Sequence, residues 1–178
     1  MPNWVYNVVK VMGNDKEAIV EFLKQHIKDN LFDFNTIIPE PEDEQSCPRE
    51  YNFNKNNGRF GGKGTLESTP DREWFNWYDW RIDNWGTKWN SGGGQYFDYD
   101  GILKSEGYIE IAIHFQTAWS MPMPVLKKLL EMHPELYVTV EYYSTENGEC
   151  GGLYVGFDNE GIIHYRWKLD DYFEETLI

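Results

Sequence analysis

The order of strand and helix patterns predicts an α+β protein with a ferredoxin-like fold. Residues 1–39 carry a strand–helix–strand pattern, and residues 106–168 carry strand–helix–strand followed by two further strands. Residues 40–105 separate them as a long, aromatic-rich insertion. Because strand–helix–strand crossovers are right-handed, both helices should lie on one face of an antiparallel sheet. We therefore expect a single domain with core 1–39 and 106–168, an added C-terminal hairpin, and an acidic tail at 169–178.

The first half begins with a β-branched and aromatic strand over Trp4–Met12. Asn14 then begins a helix, because Glu17 stands three residues later as in a capping box. The apolar face of this helix is formed by Ala18, Ile19, Phe22, Leu23 and Ile27. Phe32–Ile38 alternates and predicts a second strand, which ends at Pro39 because proline cannot donate to a ladder.

The second half opens with the clearest alternation in the chain, over Tyr108–Phe115, which predicts a strand. A helix follows, with Ser120 or Thr117 as its cap. Its buried stripe is formed by Val125, Leu126, Leu129 and Leu130. Leu136–Tyr143 alternates again and predicts the next strand.

Glycine and acidic residues mark the C-terminal part of the chain. The pair Gly151–Gly152 is interpreted as the exit of a turn, and Leu153–Phe157 with Ile162–Trp167 as the hairpin. The tail at 169–178 is acidic and predicts a short helix or a frayed end.

The insertion is rich in tryptophan, glycine and asparagine. A helix begins at Thr69-Pro70, with threonine as the N-cap and proline at the first helical position. Because exposed indoles are costly, the segment should be ordered and cover part of the sheet face opposite the helices. That face should carry Tyr108, Glu110, His114, Tyr137, Thr139, Glu141 and Tyr143.

The charge and aromatic content exclude several classes of protein. The net charge is −14, while 8 Trp, 12 Tyr and 10 Phe make the chain 17% aromatic. Disordered acidic chains are poor in aromatic residues, and a non-specific nucleic-acid binder needs an excess of Lys and Arg. No stretch reaches about 18 apolar residues, and the start lacks a signal peptide. We expect a cytoplasmic protein without membrane contact, in which Cys47 and Cys150 are reduced thiols rather than a disulfide.

Two aromatic motifs resemble one known family. Asn84–Asn90 (NWGTKWN) and Phe115–Pro122 (FQTAWSMP) resemble hallmarks of the YubB-like family of phages and plasmids. The ferredoxin-like domain of that family is described under the Api-ninety-two name, and the resemblance covers nearly the whole chain. It implies the fold and a mobile-element setting. It implies no established reaction, so no catalytic residue, cofactor or metal ligand follows from it.

The same motifs supply candidate binding residues. Trp85, Lys88 and Trp89 either contact a partner or fix their loop in the core, and Lys88 can form a cation–π contact with one indole. Trp119 and Ser120 stand where a helix opens. They either bind an anion at its N-terminus or simply pack and cap the helix.

The glycine-rich run and the histidines give weaker signals for a binding or catalytic site. The run Gly58–Thr65 lacks the spacing of a phosphate-binding loop. The histidines show no metal-ligand spacing, although His114 and His164 could be neighbours on the sheet. With Glu110 or Glu141 they would form a metal site or an acid–base pair, or they are simply polar surface residues.

Three classes of function remain. A non-enzymatic accessory protein of a phage, plasmid or similar element would bind a protein partner through the insertion and the neighbouring sheet face. Alternatively, Tyr108, Tyr137 and Tyr143 on the open sheet would stack nucleic-acid bases. They would do so beside a local basic cluster in the insertion, formed by Arg59, Lys63, Arg72, Arg81 and Lys88. The acidic runs Glu40–Glu44 and Asp170–Glu175 would instead mimic DNA. An enzyme would need a nucleophile–base or metal constellation, which the sequence does not present. The candidate binding residues are Trp85, Lys88, Trp89, Trp119, Arg81, Tyr108 and Tyr143.

Overall fold

The computed structural model describes residues 3–41, 77–144, 149–155, 161–168 and 172–177. Several predicted features lie outside these residues: most of the polar and acidic loop expected at residues 40–50, the run Gly58–Thr65, the helix start at Thr69, and Cys47. The described elements are β1 Trp4–Gly13, α1 Lys16–His26, β2 Ile27–Lys28, β3 Leu31–Phe32, a 3-10 turn Phe34–Thr36, α2 Trp77–Trp85, α3 Tyr99–Lys104, β4 Ile109–Ala118, α4 Met123–Met132, β5 Tyr137–Ser144, β6 Glu149–Val155, β7 Ile162–Lys168 and β8 Tyr172–Leu177.

Among the described residues, the long strands form one antiparallel sheet in the order β4-β1-β5-β6-β7-β8. Strand β1 lies between β4 and β5, which α4 connects. This is the split strand–helix–strand arrangement of a ferredoxin-like fold. The predicted α+β architecture is therefore confirmed.

Alternation along the strands places the core on one side of the sheet. Val5, Val9 and Val11 of β1 are buried beneath the helices. The predicted stripe of α4 is confirmed, because its four residues Val125, Leu126, Leu129 and Leu130 are all buried.

The beginnings of the two long helices differ from the prediction. Asp15, rather than Asn14, caps α1, and its carboxylate accepts a hydrogen bond from the Ala18 amide at 3.0 Å. Helix α4 has no side-chain cap. The Thr117 hydroxyl donates to the Ser120 carbonyl at 2.8 Å instead, so this hydroxyl stabilises the turn before the helix.

The predicted strand over Phe32–Ile38 is wrong. Its first residue lies in the short strand β3, and Phe34–Thr36 form a 3-10 turn capped by Asp33. The chain turns inward here because Phe34 is fully buried. Gly92 of the insertion, rather than the predicted strand, pairs with the outer edge of β4. It exchanges two backbone hydrogen bonds with Gln116, at 2.8 and 2.9 Å.

Two expectations about the C-terminal part are also corrected. Residues 172–177 form strand β8, which pairs with β7, rather than a short helix or a frayed end. The pair Gly151–Gly152 lies inside β6 rather than at the exit of a turn.

The described part of the insertion lies mainly on the helical side of the sheet. Helix α2 packs against α4, and α3 packs against α1. Trp80 and Trp85 of α2 belong to the core. These residues therefore do not cover the opposite sheet face as expected. No described helix is both long enough and apolar enough to cross a membrane.

Candidate interaction surface

The two aromatic motifs hydrogen-bond to each other. The Thr87 hydroxyl donates to the Ala118 carbonyl at 2.9 Å, and the Ser120 hydroxyl donates to the Gly86 carbonyl at 2.5 Å. Gly86 has a φ of +77°, and a Cβ there would lie 2.9 Å from Pro124 Cδ. Much of each motif therefore holds the insertion against the end of β4.

Trp85 has a structural position rather than a binding one. Its indole is fully buried, with ring centroids 5.7 Å from Phe34 and 5.6 Å from Trp80. The indole N–H donates to the Ile38 carbonyl at 2.8 Å. The interpretation of Trp85 as a residue that fixes its loop in the core describes this geometry.

Arg81 is already engaged within the chain. Its guanidinium donates twice to the Glu40 carboxylate, at 2.8 and 2.6 Å. The same group lies 5.0 Å from the Trp77 ring centroid and 5.1 Å from that of Trp85. Because its charge is paired and its planar group is stacked, Arg81 is poorly placed to receive a phosphate.

The sheet face opposite the helices, here called the open face, carries a row of exposed aromatic residues. The strand register places Tyr6 of β1 directly beside Tyr143 of β5. Tyr6 is 46% exposed and Tyr143 is 40% exposed. Tyr137 lies on the same face and is also exposed. Tyr108 is exposed as well, immediately before β4.

A tryptophan cluster lies at one end of the open face. The Trp4 and Trp89 ring centroids are 6.1 Å apart, and Lys88 Nζ lies 4.7 Å from the Trp89 centroid, so the expected cation–π contact is present. Trp119 is exposed, with a φ of +73° and its amide donating to the Asn3 carbonyl at 2.7 Å. A positive φ is strained for a bulky residue. The chain therefore holds a strained residue with an exposed indole beside the end of the sheet.

An ion pair lies near the centre of the open face. Lys10 Nζ of β1 and Glu141 Oε1 of β5 are 2.8 Å apart. The hydrogen bond that Lys10 donates to Glu141, together with the charge of Glu141, raises the pKa of Lys10 despite partial burial. Lys10 is therefore charged, and the Glu141 carboxylate on the same face balances its charge.

The glycine pair of β6 allows side chains of β5 and β7 to approach each other across it. On the open face, a Cβ at Gly152 would collide with the Val140 carbonyl and the Tyr165 ring. Tyr165 of β7 therefore lies across Gly152, and burial, then the charge of Glu141, raises its pKa. Tyr154 is also on this face, with its ring centroid 5.9 Å from that of Tyr165.

The expected neighbouring pair of His114 and His164 is wrong. His114 lies on the open face of β4, whereas His164 lies on the helical face of β7, and three strands separate β4 from β7. His164 instead contacts the Tyr142 hydroxyl, with Nε2 at 3.1 Å. In the part of the chain that the structure describes, no group of three or more His, Cys, Asp or Glu side chains is arranged to hold a metal ion.

Four residues of the open face were not predicted from the sequence: Trp4, Tyr6, Lys10 and Tyr165. Two signals for them exist in the sequence. The alternation of β1 places Trp4, Tyr6 and Lys10 on the face opposite its buried valines. Glycine inside a strand often marks a close approach by another group, which at Gly152 is the Tyr165 ring.

The comparisons with known proteins agree with this architecture. The family model described as "Ferredoxin-like domain in Api92-like protein" matches residues 84–176, just over half of the chain. The match begins in the NWGTKWN motif, includes β4 to β7 and all but the last residue of β8, and does not include the central strand β1. No curated protein and no solved structure matches the chain. The chain belongs to the Api92-like family, and its fold is ferredoxin-like.

Proposed function

We propose that this chain is a cytoplasmic, non-enzymatic accessory protein of a phage, plasmid or similar mobile element, of the YubB-like kind. It acts by binding a protein partner through its open face. The observation that carries the proposal is the exposed pair Tyr6 and Tyr143, which stand side by side on a sheet face with Trp4 at one end.

Aromatic residues fixed on strands suit protein binding. Tyrosine and tryptophan supply large amphipathic contact areas and are enriched in protein interfaces. Their backbone is already ordered, so little conformational entropy is lost on association. Strands lie about 4.8 Å apart and rise about 3.3 Å per residue, so six strands of six to ten residues form a face about 24 Å wide and about 20 to 33 Å long. A standard interface buries roughly 800 Å² of accessible surface per partner, which is of the same order as the area of this face.

The charges of the open face favour a protein over a nucleic acid. Glu141 neutralises Lys10, and Glu110 adds an exposed carboxylate. Backbone phosphates require cations that are available to them. Arginine stacks on aromatic rings and pairs with carboxylates. The expected partner surface is therefore apolar with arginines.

Base stacking by a nucleic acid is the second candidate. The exposed tyrosines on an uncovered sheet favour it, because such sheets stack unpaired bases. Of the predicted basic cluster, Arg81 is paired with Glu40 and Lys88 lies over Trp89, whereas Arg59, Lys63 and Arg72 lie outside the described residues. DNA mimicry stays a prediction, because most of the acidic runs lie outside the described residues.

Affinity capture with matched variants tests the proposal. The wild-type chain, the double variant Tyr6→Ser/Tyr143→Ser and the control Tyr96→Ser are used as baits in host lysate, with and without nuclease. Tyr96 is 87% exposed but lies in the segment between Gly92 and α3, not on the sheet.

We expect one protein to be retained by the wild type and by Tyr96→Ser after nuclease treatment, and to be lost with the double variant. Recovery that disappears with nuclease would favour the nucleic-acid candidate. Equal recovery by all three baits would contradict the assignment of the open face.

A further inference from the structure

Two histidines from distant parts of the chain meet in the core. His26 ends α1 and is fully buried, and His133 follows α4 and is 9% exposed. Their Nε2 atoms are 2.8 Å apart, and the ring planes are perpendicular, at 90°. The Phe22 ring packs edge-on against both, at 4.9 and 4.8 Å between centroids. The pair is therefore shielded from water on its apolar side.

The outer nitrogens of both rings are also engaged. His133 Nδ1 lies 3.1 Å from Glu135 Oε1, and His26 Nδ1 lies 2.8 Å from the Thr36 hydroxyl oxygen. That hydroxyl donates its proton to the Asp33 backbone carbonyl, at 2.6 Å. The result is one chain of contacts that ends in an acceptor on each side, a carboxylate oxygen and a carbonyl oxygen.

The number of protons that these hydrogen bonds need fixes the charge of the histidine pair. Each contact needs one proton, and Thr36 supplies only the one that it donates to Asp33. The contacts of the rings with Glu135, with Thr36 and with each other therefore need three ring N–H groups. Two neutral imidazoles have two such groups in total, whereas one imidazole and one imidazolium have three.

We propose that His26 and His133 form a single proton-binding site, in which the pair holds one positive charge and hydrogen-bonds the end of α1 to the turn after α4. The charge is centred on His133, beside the Glu135 carboxylate, and His26 is the neutral member. A second proton would bring two N–H groups face to face. Loss of the shared proton would leave one contact without a donor.

The surroundings of the pair agree with this distribution of charge. Burial, then the charge of His133 and that of Lys28, lowers the pKa of His26 to about 4. The charged groups that face the pair are Lys28 and Glu135, while Asp33 presents its backbone carbonyl there and directs its carboxylate to Asn90.

The distance between the two Nε2 atoms indicates that a proton, rather than a metal ion, lies between them. A tetrahedral zinc ion bound at 2.0–2.1 Å by two nitrogens would hold them about 3.3 Å apart. The observed 2.8 Å is a hydrogen-bond distance.

Nitrogen NMR of the full chain, labelled in its histidines, tests the proposal at pH 5.5. With the ordinary pKa of about 6.5, two independent histidines would both be mostly charged at this pH. We expect instead three ring protons on the pair, one Nε2 without a covalent proton, and a scalar coupling between the two Nε2 atoms. Four ring protons, or two, would each overturn the proposal.

A pair of surface variants gives an independent test without disturbing the core. Glu135→Gln removes the carboxylate beside His133, and Glu131→Gln is the matched control, since Glu131 is equally exposed on α4. We expect the pair in Glu135→Gln to release its proton at lower pH than in the wild type, and the pair in Glu131→Gln to titrate as in the wild type. Identical titration in both variants would overturn the assignment of the charge to His133. This test does not depend on any partner of the open face.

Discussion

Mild acid should destabilise the fold through His26. Burial and the neighbouring His133 lower its pKa to about 4 in the folded state, whereas the unfolded value is about 6.5. The unfolded chain therefore binds a proton first as the pH falls. The stability contributed by neutral His26 is fully present above about pH 6.5 and is lost between that pH and about 4.

The size of the effect follows from the two pKa values. A difference of about 2.5 pH units corresponds to about 3.4 kcal/mol when titration is complete. Between pH 7 and pH 5 about 2 kcal/mol of this is expressed. That is a large fraction of the free energy of unfolding of a small domain.

Urea unfolding, followed by tryptophan fluorescence at pH 7, 6 and 5, measures the prediction. His26→Gln removes the titrating ring, and His114→Gln is the control, because His114 is exposed on the open face of β4. Carboxylates also titrate near pH 5. The quantity to compare is therefore the loss of unfolding free energy in the wild type minus the loss in each variant. We expect His26→Gln to be less stable at pH 7 but to lose about 2 kcal/mol less than the wild type on going to pH 5.

The control should follow the wild type within about 0.5 kcal/mol at each pH. If the wild type and His26→Gln lose the same free energy of unfolding between pH 7 and pH 5, the proton affinity of His26 does not change on folding, which would contradict the prediction.

Two further substitutions test the structural roles assigned above. Trp85→Ala should lower the free energy of unfolding by about 3–5 kcal/mol, because it empties a fully buried site. Trp119→Ala, which removes an exposed indole, should lower it by about 0.5 kcal/mol. Equal losses in urea unfolding would contradict these assignments. Gly152→Ala should lower the free energy of unfolding by about 2 kcal/mol or more, because the new Cβ would collide with the Val140 carbonyl. Gly92→Ala has room for its Cβ and should change the thermal stability little. A Gly152→Ala variant as stable as the wild type would contradict the close approach at Gly152.

Regular alternation and helical spacing made much of the core predictable. The buried stripe of α4 and the strands on either side of it follow from periodicities that tertiary contacts do not oppose. Phe32–Ile38 shows the limit of that signal. Its alternation equally suits a turn that buries Phe34 against Trp85 and Phe115, and only the folded chain supplies those partners.

The candidate surface was predicted in part. The aromatic motifs led to Lys88, Trp89 and Trp119, which lie at one end of the open face, but also to Trp85, which belongs to the core. The predicted basic cluster led to Arg81, which forms an ion pair with Glu40. A motif of tryptophans does not reveal which indole faces inward.

Contacts between distant strands and helices were not predictable from local pattern. The pairing of Tyr6 with Tyr143 depends on β1 lying between β4 and β5. The contact of His26 with His133 depends on the ends of α1 and α4 meeting in space. Such contacts join residues more than 100 positions apart, and neither spacing nor composition encodes them.

Site-specific crosslinking tests the central claim, that the open face binds a protein, most directly. A photoreactive phenylalanine analogue replaces Tyr143 in one chain and Tyr96 in another, and the host cells are irradiated. We expect one discrete protein adduct from position 143 that survives nuclease treatment and is absent from position 96. An adduct to nucleic acid, no adduct at position 143, or the same products from both positions would contradict it.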